Sequence, residues 1–335
     1  MRRSNTALLP TLALIIVTAV WGSTFFLLKD LVKEMPPLDF LGVRFSLAAV
    51  LVIAFQFRRL RSANQLDWKR GAVLGVLYSV GQLLQTIGLQ YTDASVSGFI
   101  TGMYVVFTPI LVALLFRQGV SARVWTAVAL ATFGLAFLSI QGNPLAGGVP
   151  IGIGEAVTLA GAFFYALHIV FLGRWARQSD PITLGLIQII AAGTLLGIAA
   201  IPGGIALPQS PGSWASFLYM TLIAGLGALV LQTWAQSKLN ATTVAVVMTT
   251  EPLFAAGFAI AFGGEYLTSR LAIGGTLVIA AMFLVETGEG SEDDTHDPPP
   301  PTETPEGRPV SAGNPQPTQE KIPHPTIEGD FHEEQ

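Results

Sequence analysis

The 335-residue chain is 51% apolar and only 12% charged, with a mean hydropathy of +0.56. That is about half the charged fraction of an ordinary soluble domain. Its formal charge of −4 belongs to one stretch: Thr287 to Gln335 holds 12 Asp or Glu against 2 Lys or Arg, leaving the preceding body at +6. Cysteine is absent, which excludes disulfides, thiol catalysis and thiolate metal sites.

Uncharged apolar stretches of about 20 residues predict membrane helices, because roughly 30 Å of hydrocarbon needs that length at 1.5 Å per residue. In chain order they fall near 8–28, 38–57, 71–90, 95–116, 123–140, 152–172, 182–201, 214–236, 242–262 and 269–286. The first follows Arg2-Arg3 as a signal peptide would. It is too long for one and lacks a small-residue cleavage site, so it is read as a membrane helix. Segment 288–335 is acidic and Pro-rich and is predicted to be a disordered cytoplasmic tail. Its histidines, His296, His324 and His332, lack the tight spacing of a metal site.

Lys and Arg in short loops set orientation. With the N-terminus inside, twelve fall on the cytoplasmic side: Arg2, Arg3, Arg58, Arg59, Arg61, Lys69, Arg70, Arg117, Arg123, Arg174, Arg177 and Lys238. Three fall outside, Lys29, Lys33 and Arg270. Both termini are therefore expected in the cytoplasm.

The chain also repeats itself. "LQTIGLQYTDASVS" (Leu84 to Ser97) is echoed by "LQTWAQSKLNATTV" (Leu231 to Val244) at an offset of 147. "PPLDFLGVRFSLAA" (Pro36 to Ala49) is echoed by "DPITLGLIQIIAAG" (Asp180 to Gly193) at 144, pairing Arg44 with Gln188. Thr108-Pro109 matches Glu251-Pro252 at 143, and "VSARV" at Val120 matches "LTSRL" at Leu267 at 147. These echoes predict two five-helix units, 1–142 and 149–287. Five is odd, so the second unit starts on the opposite side of the membrane. The expected fold is an all-α integral membrane protein of ten transmembrane helices in two inverted repeats, with a substrate site between the halves.

Ionisable groups within spans are costly and mark functional candidates. Glu251 falls near the middle of its span beside Pro252, where a proton or cation could be coupled to substrate movement; holding helices together is the plainer role. Arg44 lies in the outer third of its span. Snorkelling, or pairing with Glu155 or Asp39, is preferred over gripping a substrate carboxylate. Glu155 is expected at the interface, and His168 reads as a buried, hydrogen-bonded residue rather than a proton relay.

Uncharged polar stripes suggest a wet cavity. Ser97, Thr101, Tyr104 and Thr108 follow i, i+4, i+7, i+11; Tyr78, Gln82 and Gln85 follow i, i+4, i+7; Gln232 and Gln236 follow i, i+4. Trp21 is either a wall of that cavity or a packing residue. The pairs Gly71/Gly75, Gly98/Gly102 and Gly193/Gly197 read as close helix contacts. "GIGEA" at Gly152 lacks the Lys and preceding strand of a phosphate loop.

"AVWGSTFFLLK", "LQYTDASVSGFITGMYVVFTPILVALL" and "TEPLFAAGFAIAFGGEYLTSRLAIGGTLVIAAMFL" resemble the EamA family of the drug/metabolite transporter superfamily, over residues 8–286. Paired Pro109 and Pro252, Trp21-Gly22 and Gly264-Glu265 carry the likeness most specifically. The resemblance implies a ten-helix secondary carrier, mostly an exporter of small metabolites, amino acids among them. The expected partners are a small-molecule substrate, the lipid bilayer and protons, in the cytoplasmic (inner) membrane, with no cofactor and no nucleic acid. An exchanger of nucleotide-sugars or sugar phosphates would need a basic central cavity, and a membrane enzyme acting on lipids would need clustered acids or histidines.

Overall fold

The computed structural model describes residues 4–117, 121–139, 152–176, 178–239, 244 and 247–289. All regular structure among them is helical. In chain order the helices are α1 (Ser4–Glu34), α2 (Pro37–Ser62), α3 (Gln65–Leu89), α4 (Ala94–Thr101), α5 (Tyr104–Phe116), α6 (Ala122–Ser139), α7 (Ile153–Trp175) and α8 (Pro181–Ala200). They continue with α9 (Pro211–Leu218), a π-wound segment (Tyr219–Gly227), α10 (Ala228–Gln236), α11 (Glu251–Phe262) and α12 (Ser269–Glu289).

Seven stretches are long and apolar enough to cross a bilayer: Leu8–Glu34, Pro37–Ser62, Gln65–Leu89, Ala94–Phe116, Ile153–Trp175, Pro181–Ala200 and Pro211–Gln236. Glu251–Phe262 and Ser269–Leu284 are shorter apolar helices. The chain is a multi-pass helical membrane protein. The disorder expected of the tail lies outside the described residues, apart from Gly288 and Glu289, which continue α12.

Helix ends follow local chemistry. Asn64 and Asp67 form a reciprocal capping box at the start of α3, which satisfies two backbone donors that the first turn leaves open. Asp180 caps α8 and Ser210 caps α9, each followed by Pro at the first helical position. Polar contacts gather the loops at two ends. At one, Glu34 accepts from Gln209 N (3.2 Å) and Ser213 Oγ (2.8 Å), and Asp39 from Ala206 N (3.0 Å). At the other, Arg59 pairs with Asp180 (2.9 Å) and Arg70 donates to Ser179 Oγ (3.0 Å) and Gln178 Oε1 (2.6 Å).

Between these ends α2 packs most closely on α8, α6 on α12, α3 on α7 and α8, and α1 on α11. The paired glycines are where backbones meet. A Cβ added at Gly71, Gly75, Gly98, Gly102, Gly193 or Gly197 would lie within 2.7 Å of an atom on a neighbouring helix.

Several predicted spans are not uniform helices. The span near 95–116 is interrupted at Gly102-Met103, where Met103, Val105 and Val106 donate to carbonyls three residues back instead of four. Gly102 is pressed against Pro252, whose Cγ would lie 2.7 Å from an added Cβ. The span near 214–236 passes through the π-wound Tyr219–Gly227. Thr249-Thr250 forms a turn before α11, so Glu251 opens a helix. Pro109 lies inside α5 whereas Pro252 is the second residue of α11. Helix starts therefore align Glu251 with Tyr104, at 147, rather than with Thr108.

Candidate functional site

A cavity of about 60 Å³ lies among α1, α2, α3, α4, α5, α7, α10 and α11. That is room for several waters at roughly 10–15 Å³ each. Ten of the residues singled out in the sequence line it: Trp21 from α1, Arg44 from α2, Tyr78, Gln82 and Gln85 from α3, Thr101 from α4, Tyr104 from α5, His168 from α7, Gln232 from α10 and Glu251 from α11.

One file of hydrogen bonds crosses the cavity wall. Arg44 Nη1 donates to Gln82 Oε1 (3.3 Å), Gln82 Nε2 to the Tyr165 hydroxyl (2.6 Å), Tyr165 to Gln85 Oε1 (2.9 Å), and Gln85 Nε2 to Thr101 Oγ1 (3.1 Å). Four helices contribute, and each bond runs the same way, so the dipoles reinforce one another in a low-dielectric surrounding. Tyr165 was not among the sequence candidates. Gly81 makes room for it: an added Cβ would meet the Tyr165 ring at 2.8 Å. Its i, i+3 spacing from His168 on α7 was the available signal.

Arg44 is 4% exposed, with its guanidinium over the rings of Phe45 (4.9 Å) and Phe40 (5.6 Å), an arrangement in which the ring quadrupole attracts the cation. Neither expected carboxylate partner reaches it. Asp39 binds Ala206 N instead, and Glu155, buried in the first turn of α7, accepts from Thr92 Oγ1 (3.1 Å). Among the described residues Arg44 joins no ion pair, and its Nε has no hydrogen-bond partner. A buried charged donor left open is expensive.

Glu251 is 5% exposed at the first turn of α11, where a helix N-terminus favours a carboxylate, and the Tyr104 hydroxyl donates to it at 2.9 Å. Trp21 lines the cavity and is anchored by its indole N–H to the Ala224 carbonyl (2.9 Å) in the π-wound segment. Gln232, 2% exposed, has its Oε1 unpartnered among the described residues. His168 Nε2 and Gln188 Oε1 are 2.8 Å apart, and its ring sits 5.4 Å from that of Tyr78.

The stripes are only partly realised. Ser97, Thr108 and Gln236 do not line the cavity. The break at Gly102-Met103 disrupts the helical periodicity that linked Ser97 to Thr108, and the Thr108 hydroxyl bonds back to the Tyr104 carbonyl (2.8 Å). Among the described residues no group of three or more His, Asp or Glu could hold a metal.

A cavity lined by polar side chains among apolar helices marks a multi-pass membrane protein with a polar interior. The EamA-like transporter family matches the chain over residues 8–140 and again over 152–287, and the chain belongs to that family. An uncharacterized transporter of Archaeoglobus fulgidus is 31% identical over 82% of this chain and 84% of its own length. The uncharacterized inner membrane transporter YedA of Escherichia coli K12 is 27% identical over 83% and 90%, and the uncharacterized transporter YoaV of Bacillus subtilis is 22% identical over 82% and 95%. A protein of known crystal structure superposes with a TM-score of 0.58 over 87% of this chain and 99% of its own, at 16% identity, a likeness of fold alone.

Proposed function

We propose that the chain is an alternating-access carrier for small metabolites bearing a carboxylate, amino acids and related compounds among them, working in the export direction. The observation that carries this reading is Arg44. It is buried, lines the same cavity as Glu251, and lacks a carboxylate partner among the described residues. A substrate carboxylate would meet the guanidinium, and a substrate amine would face Glu251 and the open Gln232 Oε1. Arg44 is the sole Lys or Arg on the lining among the described residues, too little positive charge for nucleotide-sugars or sugar phosphates. The histidine and acid on the lining, one of each, do not make the set a lipid-modifying enzyme needs.

The carrier is read as ten helices in two inverted repeats, roughly 1–142 and 149–287. The twofold family match supports this, as do reciprocal contacts: α3 packs on α7 as α10 packs on α1, α4 and α5 meet α7 as α11 meets α1, and α2–α8 and α6–α12 pair equivalent helices. The cytoplasmic membrane is the proposed location, with both termini inside and inward protons passing through Glu251 as the driving force. The test is flux into and out of proteoliposomes with a panel of amino acids, with and without an imposed pH gradient. Movement of zwitterions that Arg44→Gln abolishes supports the reading. Transport of phosphate esters but not amino acids overturns it.

A further inference from the structure

A second cavity, of about 890 Å³, opens beside the first between α1, α2, α8 and the π-wound segment with α10. Its walls are aliphatic and aromatic. Phe55 (79% exposed) and Ile16 (57% exposed) stand at its rim, and among the described residues Gln56 and Arg59 are the only amide or charged side chains on it. Two irregularities open the space. α2 leaves helical geometry at Gln56 (φ −116°, ψ 16°), and the π-wound segment ends in Gly227, followed by Ala228, where no bulky side chain fills the gap.

The groove lies end to end with the polar cavity. On α2, Arg44 of the cavity is followed at helical spacing by Leu51, Phe55 and Arg59 of the groove. On α1, Val17 and Val20 of the groove precede Trp21, Thr24 and Leu28 of the cavity. The Trp21–Ala224 bond stands at the junction. From there the groove runs toward the end of the bundle that carries Arg58, Arg59 and Arg61, with Lys69 and Arg70 close by in sequence.

We propose that this groove is a binding site for one bilayer phospholipid with an anionic headgroup, one acyl chain lying in the groove and the phosphate against Arg58 and Arg59. The walls are mostly apolar and offer little to a water, which needs two to four polar partners when buried. A chain moving from bulk hydrocarbon into an apolar groove gains little, so selectivity rests on the phosphate. Juxtamembrane Lys and Arg supply attraction for it. Arg59 is held by Asp180 (2.9 Å) and Thr183 Oγ1 (3.2 Å), which fixes it at the groove mouth. Arg58 is exposed and joins no ion pair among the described residues, so its guanidinium is available to an anion.

The test is native mass spectrometry of the full chain released from nanodiscs of equal phosphatidylglycerol and phosphatidylcholine, with thermal melting in detergent plus either lipid or palmitate. The wild type is expected to keep one phosphatidylglycerol and to melt higher with that lipid than with phosphatidylcholine or palmitate. Ile16→Trp, which narrows the groove from an exposed rim, is expected to lower retention at least fivefold. Arg58→Ala leaves the groove intact and is expected to erase the preference for phosphatidylglycerol. Four results overturn the proposal: no retained lipid in the wild type, wild-type retention in Ile16→Trp, an undiminished preference in Arg58→Ala, or equal stabilisation by palmitate. A dimer that Ile16→Trp dissolves also overturns it, since a second copy of the chain would then fill the groove. Should Ile16→Trp not fold, Arg58→Ala and the lipid comparison decide.

Discussion

Glu265 closes the N-terminus of α4: its Oε1 accepts the backbone N–H of Ala94 at 2.7 Å. Its Oε2 takes the N–H of Ser95 at 3.2 Å and also the Ser95 hydroxyl. Lys29 of α1 lies 3.7 Å from the same carboxylate and 3.0 Å from Asp93. The loop after α11 is thereby tied to α4 and α1, using donors that a helix start always leaves open. Gly264, at φ +71°, supplies the left-handed turn that aims the carboxylate.

Glu265→Ala is expected to lower stability by about 0.5–2 kcal/mol, the usual cost of losing a helix cap. It should also loosen this end of the bundle. Since the chain has no cysteine, a single Cys at Ser97 offers a clean reporter of access by thiol labelling. Faster labelling in the Glu265→Ala background is the expected result; an unchanged rate would show that the carboxylate caps α4 without restraining the end.

Glu251→Gln should fold, because Gln still offers an oxygen to the Tyr104 hydroxyl. It is expected to remove the response of flux to an imposed pH gradient while sparing gradient-free substrate exchange. Transport with an undiminished pH response would make Glu251 structural.

Arg44→Met should raise the melting temperature and abolish substrate binding together. A buried guanidinium without a carboxylate partner costs stability that an apolar chain of similar length does not. Unfolding followed with and without substrate checks both halves. A variant that melts lower and still binds would contradict the role given to Arg44.

Asp180, at the other end of the bundle, carries an expected pH signature. Partial burial pushes its carboxyl up, but hydrogen bonds from the Thr183 hydroxyl and backbone and the charge and bonds of Arg59 outweigh it, leaving the group below the ordinary carboxylate value. A depressed carboxyl stabilises the fold above its unfolded pKa and loses that contribution as pH falls through the folded value. The wild type minus Asp180→Asn difference in stability should therefore be present at pH 7 and shrink in acid. The site is mostly solvated, so the effect is small. A pH-independent difference would contradict a lowered carboxyl at Asp180.

Reporter tags after Arg61, after Arg177 and at the C-terminus should read cytoplasmic, and tags near Asn143 and Gln209 should read external. Asn143 and Arg177 on one side would remove both the crossing by α7 and the inverted repeat.

Much of the cavity is legible in the sequence, because a polar side chain in an apolar span has few tolerable places to go. Gln82, Gln85, Tyr104 and Glu251 had to face protein or water, and they face one another across the same space. What hydropathy does not report is helix continuity. The composition around Gly102-Met103 is as apolar as its flanks, so the interruption was silent and the stripe was carried too far, to Thr108. The winding of Tyr219–Gly227 was silent for the same reason. The pairing expected of Arg44 does not form because backbone and hydroxyl donors already hold Asp39 and Glu155.

The π-wound segment makes the lining of the cavity a matter of helical phase. Nine residues hold it, Tyr219–Gly227, directly before α10, the helix that carries Gln232. Tightening that stretch by one residue into α geometry would rotate everything after it by about 100°. Gln232 would swing away, and the aliphatic Leu231 or the hydroxyl of Thr233 would take its bearing. The same polypeptide would then present its cargo with a different chemical surface, with no residue changed.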